Sequence, residues 1–206
     1  MTKLKPVAAA GALAASLVLG ACGSSSNGHD MGSMSSPSTS SAPSASSTAT
    51  PASGPHTEAD VTFASMMIPH HNQAIEMSDM LLAKSGIDAQ VTALAQKIKA
   101  AQGPEVAQMS GWLAGWGQNP SPSSMGGMNH GDGMMNQADM DALKAATGDK
   151  ATQLFLTGMI KHHQGAVTMA QTELDSGQNP DAKALAQNII AAQKAEITEM
   201  NQLLGK

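Results

Sequence analysis

The chain has 206 residues, 41% of them hydrophobic, with two Trp, two Phe, no Tyr and a formal charge of −5. An acidic chain this poor in aromatics lacks both the basic footprint and the stacking surfaces of a nucleic-acid binder. Its one cysteine, Cys22, excludes an internal disulfide or a thiolate cage, so any metal chemistry falls to His, Met, Asp, Glu or Asn.

Residues 1–21 read as a bacterial lipoprotein signal peptide. Lys3 and Lys5 precede an apolar run from Val7 to Leu19, and Leu19-Gly20-Ala21-Cys22 has the form of a lipobox. The run is short for a membrane span. Cys22 is therefore expected to be the lipidated mature N-terminus, which anchors the protein to the membrane outside the cytoplasm. Loss of the two lysines then takes the formal charge from −5 to −7. Residues 22–56 are mostly Ser, Ala, Thr, Pro and Gly, too polar and small to offset their chain entropy, and are predicted to form a disordered tether. Such a tether holds a domain roughly 30 Å from its anchor.

The folded domain is expected over residues 57–206. A first helix should start at Thr57, with Asp60 three residues on as in a capping box. Phe63, Met67, His70, Ala74, Met77 and Leu81 make one apolar stripe, and Ile68, His71, Ile75 and Leu82 a second beside it. Pro69 removes one helical hydrogen bond and should bend the axis. After Ser85-Gly86, Asp88 caps a second helix whose inward face reads Val91, Leu94, Ile98, Ala101, Glu105, Met109 and Trp112, with a kink expected at Gly103-Pro104. This is an αα-hairpin over 57–117.

A crossover, 118–148, follows. Asn119 to Gly133 reads as loop and Gln137 to Ala146 as a short helix. The second hairpin, 149–206, repeats the first: Phe155, Met159, His162, Ala166 and Met169 match the first stripe, Ser176-Gly177 ends the helix, and Asn179-Pro180 caps the next. Gln193, Glu196 and Met200 correspond to Gln102, Glu105 and Met109. Two such hairpins predict an all-α protein, a four-helix bundle built by internal duplication.

The repeated unit carries the chemistry. Met66-Met67-Ile68-Pro69-His70-His71 and Met159-Ile160-Lys161-His162-His163 share the pattern M-[IL]-x-H-H-x-x-A-[IV]-x-M. Met66 with His70, Met67 with His71 and Met159 with His163 lie one helical turn apart, pairing thioether with imidazole. That donor set suits Cu(I) and tolerates Cu(II). Counting back through each hairpin turn brings Glu105 level with His70 and Glu196 level with His162, where a carboxylate can ligate a metal or orient an imidazole. Outside the helices, His29, Met31 and Met34 in the tether and Met125, Met128, His130, Met134 and Met135 in the crossover have no core to fill and read as auxiliary metal-capturing groups. The competing account of the helical motif is core packing, with methionines as filler and histidines hydrogen-bonded to Glu105 and Glu196. No Glu-x-x-His pair, nucleophile elbow, phosphate loop or nucleophilic cysteine points to an enzyme.

Asp60-x-x-Phe63-x-x-x-Met67-Ile68-x-His70-His71-x-x-Ala74-x-x-Met77, then Gln102-x-x-Glu105-x-x-x-Met109 and the second copy, resembles the domain of unknown function 305 family over Thr57 to Leu204. The resemblance implies a ferritin-like four-helix bundle, secreted or lipid-anchored, with links to copper binding and copper tolerance. By position it carries over His70, His71, His162, His163, Met67 and Met159. Two departures stand out: Thr152 occupies the place of Asp60 in the second copy, and Gly158 the place of Met66. If both halves bind metal, the second half is expected to bind more weakly or with different ligands.

Overall fold

The computed structural model describes residues 54–118 and 133–205. Cys22, the leader, most of the tether with His29, Met31 and Met34, and the crossover residues Met125, Met128 and His130 lie outside the described residues. Five helices are described: α1 (Glu58–Leu82), α2 (Ala89–Gly115), α3 (Gln137–Ala145), α4 (Gly148–Ser176) and α5 (Pro180–Leu203). α1 packs along α2 and α4 along α5, and the two hairpins join chiefly through α1 and α4. The short α3 lies on both of those helices. The architecture is the expected four-helix bundle of two hairpins, with no strand among the described residues.

Local chemistry sets the helix ends. Asp88 accepts from the backbone N–H of Gln90 at 2.7 Å, Asn136 from that of Asp139 at 2.9 Å, and Asn179 from those of Asp181 and Ala182 at 3.0 and 3.1 Å. Pro180 opens α5, where its missing N–H is no loss. α1 and α2 run on through Pro69 and Pro104 as single helices.

The core is divided. One cluster contains Ala74, Met77 and Leu81 of α1 with Leu94, Ile98, Phe155 and Met159; the other contains Phe63, Ala64 and Met67 with Trp112, Leu113, Ala166 and Ile189. Between them every long helix changes from apolar to polar: His70 and His71 on α1, Gln102 and Glu105 on α2, His162 and His163 on α4, Gln193 and Glu196 on α5.

Three sequence expectations need correction. On α1 the second stripe is not Ile68, Ile75 and Leu82, which are only half-buried; Asp60, Ala64 and Ser78 are buried with His71 instead. On α2 Ala101 is exposed and Gln102 is buried, because the face turned to α1 at this level is set by the polar layer and not by apolar spacing. Residues 55 and 56, expected within the tether, contact the bundle: His56 stacks on Trp116 with ring centroids 4.7 Å apart, and the Pro55 carbonyl accepts from Asn179 Nδ2 at 3.2 Å.

Asp60 ties the hairpins together. Fully buried, it accepts from the Thr57 N–H at 2.6 Å and hydroxyl at 2.7 Å, and across the bundle from the backbone N–H groups of Gln178 at 3.0 Å and Asn179 at 2.7 Å. The start of α1 therefore lies at the end of α4, so these two helices are antiparallel. Although burial opposes ionisation, the hydrogen bonds from Thr57 and Asn179 and the neighbouring Glu173 hold Asp60 at about 2. Glu173 behaves oppositely. Burial, then the hydrogen-bonding influence of Asp60 and its charge, push Glu173 up to about 8, so it stays protonated near neutral pH. Its carboxyl folds back over Gly177, where a Cβ would collide with it.

The signs of these shifts differ. Asp60, depressed when folded, stabilises the fold above the ordinary aspartate range and loses that contribution as pH falls through about 2. Glu173, raised when folded, favours the fold fully below its ordinary value of 4.5, and that contribution declines as pH rises toward about 8. Thermal denaturation across this interval should show Glu173→Gln stabilised relative to the parent increasingly from pH 4.5 to 8. A constant difference would remove Glu173 from the account. Asp60→Ala strands buried N–H groups and is expected to cost about 2–3 kcal/mol in chemical denaturation.

Candidate metal centre

The four motif histidines are fully buried and lie in one layer at mid-height of the bundle. His70 of α1 and His162 of α4 meet across the hairpin junction, their ring centroids 3.7 Å apart and their planes tilted by 38°. His163 lies farther out, with its ring centroid 6.4 Å from that of His162. Each outer histidine faces its own hairpin partner: His71 Nε2 is 2.8 Å from Glu105 Oε2, and His163 Nε2 is 2.8 Å from Glu196 Oε2. The layer thus has an imidazole pair at its centre and an imidazole–carboxylate pair on either side.

The two flanks are not equivalent. Glu196 is 6% exposed and also lies 3.7 Å from Lys97 Nζ, whereas the Glu105 side chain is 22% exposed. At the centre, burial first, then the neighbouring His70, His163 and His71, keep His162 well below the usual histidine value, against the opposing effect of a hydrogen bond to the His70 backbone carbonyl. His162 is therefore neutral near pH 7, the form in which imidazole binds metals.

The surroundings fit a soft cation. Met67 and Met159 are fully buried, one on each central helix. Among the described residues, Nδ1 of His71, Nδ1 of His163, the Gln102 side-chain amide and Gln193 Oε1 are buried without a hydrogen-bond partner. Buried polar atoms are costly unless they find partners. No three His, Cys, Asp or Glu side chains converge among the described residues as they stand. Imidazole and carboxylate donors alone therefore do not form a preset cage among the described residues; Met67 and Met159, each within one turn of a histidine on its own helix, carry thioether sulfur, a donor type that suits soft cations.

The predicted site residues divide accordingly. His70, His71, His162, His163, Glu105 and Glu196 are brought together at the layer, and Met67 and Met159 lie in the two apolar clusters that border it. Met66 is half-buried and lines a cleft of about 600 Å³ between α1 and α4, together with Met169, Thr62, Thr172 and Glu173. Met134 and Met135, expected as loose capturing groups, are half-buried, and Met135 packs against the core cluster around Phe155. The reason is backbone capture. Gln73 of α1 donates to the Met135 carbonyl at 2.9 Å and accepts from its N–H at 2.7 Å, fixing a segment whose composition reads as loop. Sequence reasoning missed both this clip and Glu173, whose one signal was an acidic residue in the place of Leu81.

Residues 60–204 match the family described as Domain of unknown function (DUF305). The chain belongs to this family. A DUF305 fragment from Deinococcus radiodurans is 34% identical with a TM-score of 0.65, over 74% of this chain and 99% of that one. CopM in its Cu(II)-bound form is 35% identical with a TM-score of 0.61, over 70% of this chain and 94% of CopM, and CopM has also been solved in Cu(I)-bound and silver-bound forms. Uncharacterized protein L153 of Acanthamoeba polyphaga mimivirus is 44% identical over 52 residues, a quarter of this chain and 34% of that protein.

Removing the carboxylates should separate the two flanks. Glu196→Ala leaves His163 buried without its acceptor and should lower stability by about 1–3 kcal/mol. Glu105→Ala, where water can reach His71 from the more open side, should cost less. Denaturant midpoints for both variants decide this, and a larger loss at Glu105 would contradict the asymmetry.

Proposed function

We propose that this DUF305 protein is a non-enzymatic copper-binding lipoprotein that sequesters or transfers copper outside the cytoplasmic membrane. The observation that carries this reading is the buried layer of four imidazoles, with His162 kept neutral and the thioethers of Met67 and Met159 beside it. Copper is cargo here. His70, His71, His162 and His163 with Met67 and Met159 would hold it, while Glu105 and Glu196 orient the outer imidazoles. Similarity to CopM, solved with Cu(I), Cu(II) and silver, supports the metal class.

Location follows from the leader and Cys22. Among the described residues no helix is long and apolar enough to cross a membrane, so in this reading attachment rests on the lipid. His29, Met31, Met34, Met125, Met128 and His130 would capture ions before they reach the bundle. A second reading, an envelope interaction module with the histidines as hydrogen-bonded core, draws on the two 2.8 Å imidazole–carboxylate contacts.

Competition titration with Cu(I) distinguishes them. The chain from residue 22 onward, carrying Cys22→Ser, is compared with a variant in which His70 and His162 are both changed to Leu, which keeps side-chain volume while removing four nitrogens. Copper handling predicts an affinity loss of roughly a hundredfold or more with helicity retained. It also predicts that Cu(I) raises the melting temperature of the parent alone. Equal binding by both proteins, with only stability altered, would establish the interaction module.

A further inference from the structure

The repeat that aligns His70 with His162 also aligns Met66 with Gly158 and Met77 with Met169. Because α1 and α4 are antiparallel, Met66 and Met169 come together at one end of the histidine layer, where both line the same cleft. The equivalent pair at the other end consists of Gly158 and Met77. That end is one thioether short on the helices.

Met135 supplies the missing group from the crossover. A Cβ built on Gly158 would stand 3.0 Å from Met135 Sδ, 2.9 Å from its Cε and 3.3 Å from Met77 Cε. In methionine the sulfur lies two bonds beyond its own Cβ, a span of similar length. The Met135 sulfur thus lies at the reach of a methionine side chain at position 158, one turn before His162. Gly158 is what admits it.

The placement is enforced from both helices. Gln73, on the turn after His70, holds the Met135 backbone through two hydrogen bonds of 2.7 and 2.9 Å. Two residues earlier, Gly133 lies directly on α4: its φ is +96°, and a Cβ there would strike the Lys161 carbonyl oxygen and come within 3.1 Å of Gly165 Cα. α3 begins immediately afterwards, capped by Asn136. An apolar plug needs no sulfur, so packing alone leaves open why a thioether stands here opposite Met77.

We propose that Met135 is a thioether ligand for Cu(I) on the α4 side of the site, standing in for the methionine that Gly158 lacks and forming with Met77 the counterpart of the Met66 and Met169 pair. The inference rests on the copper-handling reading and adds a ligand to it. Monovalent copper gains most from thioethers, and Cu(II), which prefers nitrogen and oxygen, gains little.

The test moves the sulfur. In the chain from residue 22 onward carrying Cys22→Ser, Met135→Leu keeps apolar volume and removes the thioether. Cu(I) affinity is expected to fall by about tenfold or more with Cu(II) affinity unchanged, and X-ray absorption of the Cu(I) form should lose sulfur scattering. Met135→Ala with Gly158→Met should restore Cu(I) affinity, whereas Met135→Ala with Gly158→Leu should not. Unaltered Cu(I) binding in Met135→Leu, or equal rescue by Met and Leu at 158, would overturn the assignment. If the His70 and His162 variant has still lost copper in that experiment, the copper-handling reading survives while this ligand falls; if the parent itself fails to bind Cu(I), both fall.

Discussion

The close, tilted contact of His70 with His162 is the one around which the bundle is arranged. It places two imidazoles between α1 and α4, where the hairpins join, and everything at that height must then tolerate polar atoms out of reach of water. Burying a charged pair of rings side by side would be prohibitive, so the contact is possible because His162 stays neutral. The outer histidines are accommodated differently, each against a glutamate from its own hairpin partner. Apolar packing is displaced above and below the layer, which is why the interior forms two clusters.

The duplication is regular at this layer and breaks away from it. At one end the buried Glu173, held protonated, neighbours the ionised Asp60, and Asp60 gathers the backbone N–H groups of the α4–α5 connection. Their counterparts at the other end are Thr152 and Leu81, so both members of the carboxyl pair are replaced together. The thioethers follow the same division: Met66 and Met169 line an open cleft, while Met77 faces a glycine and a methionine brought in by the crossover. A lone buried carboxyl would cost stability and a lone glycine would leave a void, and each replacement is matched by its neighbour across α1 and α4.

This distribution explains what could be read from the chain. Histidine spacing and the length of each hairpin turn were enough to bring Glu105 and Glu196 level with the histidines, because antiparallel helices joined by a short turn have a fixed register. Capping by Asp88, Asn179 and Thr57 was equally local. The second stripe of α1 was misread because Ile68, Ile75 and Leu82 satisfy helical periodicity as well as Ala64 and Ser78 do, and only contact with α4 decides between them. Ala101 and Gln102 failed for the same reason, since an apolar count cannot foresee that a polar layer claims that face. Met135 was least legible. Its place depends on Gln73 and Gly158, which are far apart in sequence and belong to different halves of the repeat.

The neutrality that burial imposes bears directly on the proposed copper-handling reading. An exposed histidine is partly protonated near and below pH 7 and that fraction must lose its proton to bind a cation, whereas desolvation and its neighbours hold His162 neutral to lower pH. In that reading the polar atoms of His71, His163, Gln102 and Gln193 buried in the layer would gain partners when a cation binds. Such a layer is a poor bargain for stability alone, since hydrophobic residues of similar volume would pack between the two clusters without that penalty. Methionines beside it add donors that remain unprotonated and apolar until a soft ion arrives, so they fill the core and serve the site without conflict. A structure that needed only stability would have no use for the imidazoles, and one that needed only metal capture could leave its ligands on exposed chain. In the copper-handling reading, keeping both in one layer would couple occupancy of the site to the stability of the whole bundle.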